Sequence, residues 1–337
     1  MNSTCIVGAS GYTGNELIKI ISKHPELRLD ACFVSNGSQY SQLTASEVHT
    51  ELAGICDLPL TELSDAHLST LKDNFDVIFL ATPHEFSHDH LPAMLGGKAK
   101  VFDLSGAYRL QNTDVFGQYY GFPHSHKNTL RDATYGLAEW YEAEIKEASF
   151  IAVPGCYPTA SLLGLKPLIS NDLLNLQHMP VINATSGVSG AGKKASMTTS
   201  FYEVSLQAYG VLNHRHTPEI EAYANTHVIF TPHLGAFKRG ILATITAFVK
   251  PNVTENDIAQ AFSKAYENAP LVKVKPNMPK LDHVVHTPFC DIAYAFDDTK
   301  RCVVVTSAID NLLKGASSQA IQCCNIALGL HPTMGLL

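Results

Sequence analysis

Thr4-Cys-Ile-Val-Gly-Ala-Ser-Gly-Tyr-Thr-Gly14, running on into Asn15-Glu-Leu-Ile-Lys-Ile-Ile-Ser22, is the stretch that decides the fold. Thr4 to Ala9 reads as a short apolar strand, and glycines recur at 8, 11 and 14. From Asn15 onward Leu17, Ile18, Ile20 and Ile21 fall at helical spacing. A strand, a glycine-rich turn and a helix in that order form the opening β-turn-α unit of a parallel α/β sheet. The glycines at 8, 11 and 14 depart from the G-x-G-x-x-G fingerprint but stand in the same context. Glycine lets the backbone approach a pyrophosphate, and the helix N-terminus favours its negative charge. A tight turn between packed elements is the plainer alternative.

Outward from this unit the pattern continues. Leu29 to Ser35, Asp76 to Thr82, Ala99 to Leu104 and Phe150 to Val153 read as further strands, nearly continuous in apolar character, as strands buried on both faces are. A helical stretch lies near 86–96, and 105–135 reads as loop-rich. A helix is expected from Pro158 to about Ile169. Beyond it Pro180–Thr185, His227–Thr231, Ile241–Lys250, Cys290–Phe296 and Cys302–Ala308 are strand-like and often alternating. That change implies a second, mixed or antiparallel sheet. Asp310 can cap a last helix with an apolar stripe of Leu312, Leu313, Ala316, Ala320, Ile321 and Cys324.

With 337 residues, 45% hydrophobic and 16% charged, the chain suits an ordered globular enzyme of two ordinary domains or of one large α/β domain carrying a substantial insertion. A formal net charge of -7 and a pI near 6.1 exclude a general nucleic-acid or anionic-membrane surface, which needs a basic field. The first residues lack a basic stretch followed by an apolar one, and no apolar run reaches bilayer length, so a cytoplasmic protein is expected. Eight cysteines without a CxxC pair read as separate thiols rather than a disulfide framework.

Cys156 stands out among them. It follows a strand through Pro154-Gly155 and precedes Pro158, a residue suited to a helix start. A thiol there lies where the helix dipole favours thiolate. Cys5, Cys32, Cys302, Cys323 and Cys324 fall within strands or helices and read as small buried hydrophobes. The second strand ends Val34-Ser35-Asn36-Gly37-Ser38 without the carboxylate that holds a ribose 2′-hydroxyl, which favours NADP over NAD.

Four other strings carry polar chemistry. His84-Glu-Phe-Ser-His88 matches the zinc-protease pattern H-E-x-x-H, but His84 directly follows Thr82-Pro83 at a strand end. The two histidines are therefore expected on a turn, not on one helical face, and no metal is assigned. Arg109 closes Asp103-Leu-Ser-Gly-Ala-Tyr-Arg109 after a strand; it reads equally as a fork for an anion or as a surface arginine. His214-Arg-His216 could supply an acid/base and an anion contact, or be a polar turn before a helix. Ser186-Gly-Val-Ser-Gly-Ala-Gly192 is a second glycine-rich turn, able to bind phosphate or simply to flex.

Together, Gly8-Ala-Ser-Gly-Tyr-Thr-Gly14, Asp103-Leu-Ser-Gly-Ala-Tyr-Arg109, Tyr135-Gly-Leu-Ala-Glu139, Val153-Pro-Gly-Cys-Tyr-Pro-Thr159, Thr185-Ser-Gly-Val-Ser-Gly-Ala-Gly192, His214-Arg-His-Thr-Pro-Glu219 and Asp310-Asn-Leu-Leu-Lys-Gly315 resemble the N-acetyl-γ-glutamyl-phosphate reductase family end to end. Aspartate-semialdehyde dehydrogenases share the layout, but the Gly-Cys-Tyr-Pro-Thr and His-Arg-His strings resemble the glutamyl branch. The resemblance implies an α/β fold with a Rossmann-type parallel-sheet nucleotide domain, residues 1–155. It further implies an α+β catalytic and dimerisation domain with a mixed sheet, 156–309, and a C-terminal helix in 310–337 returning to the first domain. It implies NADP held by Gly8, Ser10, Gly11, Tyr12, Thr13 and Gly14, by Ser35 near the 2′-phosphate, and by Ser189, Gly190 and Asn311. By the same resemblance Cys156 is the nucleophile, His214 the acid/base, and Arg109, His216, Arg215 and Ser186 bind an acyl phosphate or released phosphate. A homodimer or homotetramer is implied, with no nucleic-acid or membrane partner.

Overall fold

Val77, Ile78, Phe79 and Leu80 are all buried although their side chains alternate between the two faces of a sheet. That is possible only when both faces are covered, which for a sheet of short strands means parallel strands joined by helices. A computed structural model describing residues 1–337 shows this arrangement in the first of two units, formed by Met1–Gly117, Gly121–Gly155 and Ala316–Leu337. Its strands are β1 (Asn2–Val7), β2 (Leu27–Val34), β3 (Leu60–Glu62), β4 (Val77–Leu80), β5 (Lys100–Asp103), β6 (Thr134–Tyr135) and β7 (Phe150–Ala152). They lie in the order β3-β2-β1-β4-β5-β7-β6, all parallel.

Alternate residues build two separate cores. Ile6, Phe79, Phe102 and Ile151 meet Leu17, Ile18 and Ile21 of the helix Tyr12–Ile21 on one face. On the other face Cys5, Val7, Ile78, Leu80 and Val101 meet Leu68, Leu71, Leu91 and Met94. The strand order reverses direction at β1 and β4, the place where ligands bind such sheets, outside the carboxyl ends of the strands. The turn Gly8–Gly14 leaves β1 there, and its first glycine lies against Ala81 at the end of β4.

The last helix, Ser317–Ala327, belongs to this unit and is buried along its whole length. Its apolar residues Ala320, Ile321 and Cys324 join the core that includes Leu17 and Ile18. Two of its polar side chains reach other segments of the unit: Ser317 Oγ donates to the Thr13 carbonyl at 3.1 Å, and Gln322 Nε2 to Glu139 Oε1 at 2.9 Å. The sequence places the start of this helix at Asp310; in the structure it begins at Ser317. Asp310 Oδ1 instead accepts the amides of Leu312 and Leu313 at 2.8 and 3.0 Å, while Oδ2 pairs with Arg239 and accepts the His286 amide. With Oδ1 committed to this tight turn and Oδ2 to Arg239 and His286, Asp310 caps the turn, and residues 310–315 stay with the second unit.

Two more expectations are corrected. The stretch read as loop-rich holds two helices, Thr113–Tyr120, capped by Asn112, and Lys127–Asp132. The H-E-x-x-H string forms a true helix, His84–His90, because Pro83 serves as its N-cap rather than as a breaker.

The second unit comprises Gln118–Tyr120 and Cys156–Gly315. Its mixed sheet runs β12-β13-β14-β11-β8-β10-β9, with β8 (Val181–Gly187), β9 (Gln207–Ala208), β10 (Ile229–Gly235), β11 (Ile241–Phe248), β12 (Val272–Val274), β13 (Cys290–Asp297) and β14 (Cys302–Ile309). The helix Cys156–Ser170 packs against β11 and β14. Gly164 permits the approach, since a Cβ there would lie 2.6 Å from Ile245 Cδ1.

Gly8 has φ +92°, and a Cβ on it would sit 2.3 Å from the Ala81 carbonyl oxygen. Gly8→Ala should therefore cost about 3 kcal/mol or more of unfolding free energy, from backbone strain and overlap combined. Urea unfolding checks this; an unchanged midpoint would mean that the β1 turn and the β4 end separate at little cost.

Candidate active site

Cys156 is the first residue of the helix Cys156–Ser170, two places earlier than the sequence suggests, so Pro158 falls at its third position. Proline is tolerated there because the first amides of a helix have no intrahelical acceptor. The thiol is partly exposed and faces a cavity of about 610 Å³. Burial pushes the Cys5, Cys32 and Cys324 thiols up, Cys32 to about 12, which leaves them inert. Gly315 backs onto Cys156, since a Cβ there would come 2.8 Å from the Cys156 Cβ and 2.7 Å from the Asn311 carbonyl oxygen.

The same cavity is lined by Tyr157, Ser186, Gly190, His214, Arg215 and His216. Tyr157 Oη donates to the His233 carbonyl at 3.1 Å. The His214 ring is enclosed edge-on by Tyr157, Tyr209 and Phe230, with centroids at 5.7, 5.4 and 5.6 Å, and lies 4.9 Å from His216. That enclosure, and then the Arg215 guanidinium, push the His214 imidazole down to about 4. His216 is buried, 8% exposed, and forms the N-cap of the helix Thr217–Ala224; Arg215 is exposed. Behind the Ser186–Gly192 turn, Asn311 Nδ2 donates to Ser189 Oγ at 3.0 Å, and Asn311 Oδ1 accepts the Gly240 amide at 2.7 Å. Asn311 thus ties the glycine-rich turn to the entrance of β11.

Within the first unit, the Gly8–Gly14 turn fits a diphosphate. At Gly11, the N-cap of the helix Tyr12–Ile21, an added Cβ would meet nothing closer than the Gly8 carbonyl oxygen at 3.6 Å. Glycine has no side chain to accept the helix's first amides, and no acidic residue stands in the first turn to repel an anion. Gly14 is needed for packing, because a Cβ would come 2.5 Å from the Gly8 oxygen. Ser10, Tyr12 and Thr13 belong to the same turn, and Ser35 lies exposed just past β2.

Arg109 is set differently from the expected phosphate ligand. It is 4% exposed, with Nε donating to the Val153 carbonyl and Nη2 to the Leu104 carbonyl, both at 2.7 Å. Asp103, buried and raised in pKa by that burial, accepts Ser87 Oγ, the Ser105 amide and Ser105 Oγ. The Asp103–Arg109 string so braces the ends of β5 and β7. In the H-E-x-x-H helix, His84 Nδ1 accepts the Gly106 amide at 2.8 Å. His88 Nδ1 lies 2.6 Å from Asp89 Oδ1, and its Nε2 accepts the Ser125 amide at 3.1 Å. The two imidazoles have separate hydrogen-bonding tasks, although they share a helix.

The family model for the NAD binding domain of semialdehyde dehydrogenases matches residues 3–148, and that for their dimerisation domain matches residues 156–311. The chain is 57% identical over its whole length to the N-acetyl-gamma-glutamyl-phosphate reductase of Pseudoalteromonas atlantica, covering 98% of that protein. It is 51% identical to the same-named protein of Pasteurella multocida, each chain covered in full. The chain belongs to the N-acetyl-γ-glutamyl-phosphate reductase family. Among solved structures, a probable aspartate-semialdehyde dehydrogenase from Pseudomonas aeruginosa superposes with a TM-score of 0.71 at 16% identity, over 97% of this chain and 98% of that one. This family member is therefore an oxidoreductase with a nicotinamide-dinucleotide domain, and it shares its fold with the aspartate branch.

Sequence reasoning missed Tyr209, the Tyr157 hydroxyl and Gly315. Each acts through a neighbour remote in sequence, and only the Tyr-Gly pair at 209–210, a bulky residue before a turn, offered a local signal.

Proposed function

We propose that the chain reduces N-acetyl-L-glutamyl 5-phosphate to N-acetyl-L-glutamate 5-semialdehyde and phosphate, as a step of arginine biosynthesis, through a thioester on Cys156. The observation that carries this reading is the partly exposed thiol at the first turn of a buried helix, in one cavity with His214, Arg215 and His216. Thiolate is the nucleophilic form, and the start of a helix favours its charge. Attack by Sγ forms the C–S bond and breaks the acyl C–O bond, whose electron pair leaves with phosphate. NADPH, when bound, supplies the hydride that reduces the thioester carbon. The oxyanion left on Cys156 is stabilised by a hydrogen-bond donor and collapses to aldehyde, returning thiolate; the one proton consumed passes from solvent to phosphate. Arg215, exposed at the cavity, is proposed to meet the phosphoryl group, with Ser186 and His216 lining the acyl chain. Arg109 is proposed to act on phosphate only through the strand ends it braces.

The Gly8–Gly14 turn is proposed to hold the pyrophosphate and Ser35 the 2′-phosphate side, with Ser189, Gly190 and Asn311 toward the nicotinamide. The exposed Phe201 and Tyr202, at 99% and 93%, with Met197, Leu206 and Leu212, support pairing of the second unit with another copy of the chain. No helix is long and apolar enough to cross a membrane, and a cytoplasmic setting is proposed.

Cys156→Ala should bind NADPH as the wild type does yet give no acyl-enzyme mass on mixing with the acyl phosphate; an adduct on another cysteine would overturn the assignment. Ser35→Asp should raise the KM for NADPH at least about tenfold more than that for NADH, by charge repulsion. Equal changes would place the 2′-phosphate elsewhere. Sedimentation should give a dimer or tetramer, and a 36.6 kDa species at micromolar concentration would refute pairing.

A further inference from the structure

His88 and Asp89, adjacent on the helix His84–His90, meet His126 from the start of the helix Lys127–Asp132. One donor atom from each of the three lies within 4.8 Å of the others. The set belongs wholly to the first unit, away from the Cys156 cavity of the second.

The three side chains differ in freedom. His88 is held: its side chain is 6% exposed, against 63% for Asp89. Its ring lies between Phe122, edge-on at 5.2 Å, and His124 at 4.8 Å. Nε2 accepts the Ser125 amide at 3.1 Å, with the Ser125 hydroxyl 3.2 Å away, while Nδ1 faces Asp89 Oδ1 at 2.6 Å. His126 is half-buried, its ring tilted against that of His88 with centroids 4.8 Å apart. It occupies the N-cap position without capping the helix, and neither of its ring nitrogens makes a hydrogen bond. Two idle nitrogens beside a carboxylate and a second imidazole leave donor capacity unused. The neighbouring histidines are engaged elsewhere. His84 Nδ1 accepts the Gly106 amide, and His124 has Nε2 at the Ala107 carbonyl, 3.1 Å, and Nδ1 on the His126 amide, 3.3 Å.

We propose that His88, Asp89 and His126 form a binding site for a divalent transition-metal ion of the zinc type, which staples the helix His84–His90 to the start of the helix Lys127–Asp132. The H-E-x-x-H string thus supplies one ligand, not two. Two imidazoles and a carboxylate suit Zn²⁺ and its first-row neighbours, whereas Mg²⁺ and Ca²⁺ take oxygen ligands. Zinc bonds of about 2.0–2.2 Å set tetrahedral ligands roughly 3.3 Å apart, so no pair need close by more than about 1.5 Å. Exposed Asp89 and half-buried His126 can make that movement while His88 stays fixed. The ion takes the place of the proton between Nδ1 and Asp89. His88 remains neutral because Nε2 takes up the proton that Nδ1 gives up and donates it to the Ser125 hydroxyl, the outer hydrogen bond that metal-bound histidines keep. The Ser125 amide gives up its acceptor in exchange, and water completes the fourth position.

The test uses the full chain without an affinity tag, stripped with a chelator, in the Cys156→Ala background, since the cavity thiol stands with two imidazoles that could take zinc with it. Calorimetric titration with ZnCl₂ should give one Zn²⁺ per chain with a Kd tighter than about 10 μM. His126→Ala and Asp89→Ala should each weaken it at least about tenfold. His90→Ala, on the same helix but outside the set, should leave it unchanged. Co²⁺ should give the intense visible bands of four-coordination, and saturating Zn²⁺ should raise Tm by at least about 2 °C. Both effects should vanish with His126→Ala. In the chain that keeps Cys156, His126→Ala and Asp89→Ala should retain wild-type reductase activity, which shows that they fold. If either variant fails to fold, the Co²⁺ spectrum of the intact set decides, and weak octahedral bands overturn the site. No binding tighter than about 1 mM, binding that survives both ligand variants, or equal weakening by His90→Ala and His126→Ala would overturn it as well, the last by showing only scattered surface imidazoles.

Discussion

The position of one sulfur atom depends on how closely a helix can approach a sheet. The helix Cys156–Ser170 has eleven buried residues, so it cannot roll or slide without opening the core it shares with β11 and β14. Two glycines make its seat: Gly164 lets its middle meet Ile245, and Gly315 lets its first residue meet the turn that begins at Asp310. The apolar packing that stabilises the second unit is therefore also what fixes the thiol. Precision of this kind is what a nucleophile on a scaffold needs, because misplacement by an ångström costs far more in rate than in stability.

The turn holding Gly315 is in its own way rigid. The Asp310–Arg239 pair is buried on the carboxylate side, and Asp310 also accepts three backbone amides. Such a pair contributes less through net attraction than through the cost of leaving either charge alone. Asn311, the next residue, reaches Ser189 and the Gly240 amide. Packing against Cys156 and polar contacts to the Ser186–Gly192 turn thus come from one short segment, which couples the two sides of the cavity within the second unit.

The two units use glycine for different physical ends. At Gly8 and Gly14 its absence of a side chain allows backbone to touch backbone, and at Gly11 it leaves space where an anion can meet helix amides. At Gly210 it makes room for an imidazole. Burial of that imidazole, and then the Arg215 guanidinium, push it down to about 4.

Much was legible in the chain itself where the cause is local. The strand, turn and helix of residues 4–22 follow from apolar spacing and glycine positions within a few residues, and Cys156 at a strand-to-helix junction follows from Pro-Gly before it and Pro158 after. The parallel and mixed sheets followed from continuous against alternating apolar runs, because burial on two faces or one imposes those patterns directly. What only the tertiary structure decided are contacts between residues far apart in sequence. Tyr209 meets Tyr157, and Arg109 is drawn inward by the Val153 and Leu104 carbonyls. Asp310, with the spacing of a helix cap, closes a turn instead because Arg239 claims its other oxygen. His214 Nδ1 accepts the backbone amide two residues on, held by the start of a helix. Linear spacing carries no signal for these, since strand register and side-chain direction decide which groups meet, and the meeting decides the chemistry of each.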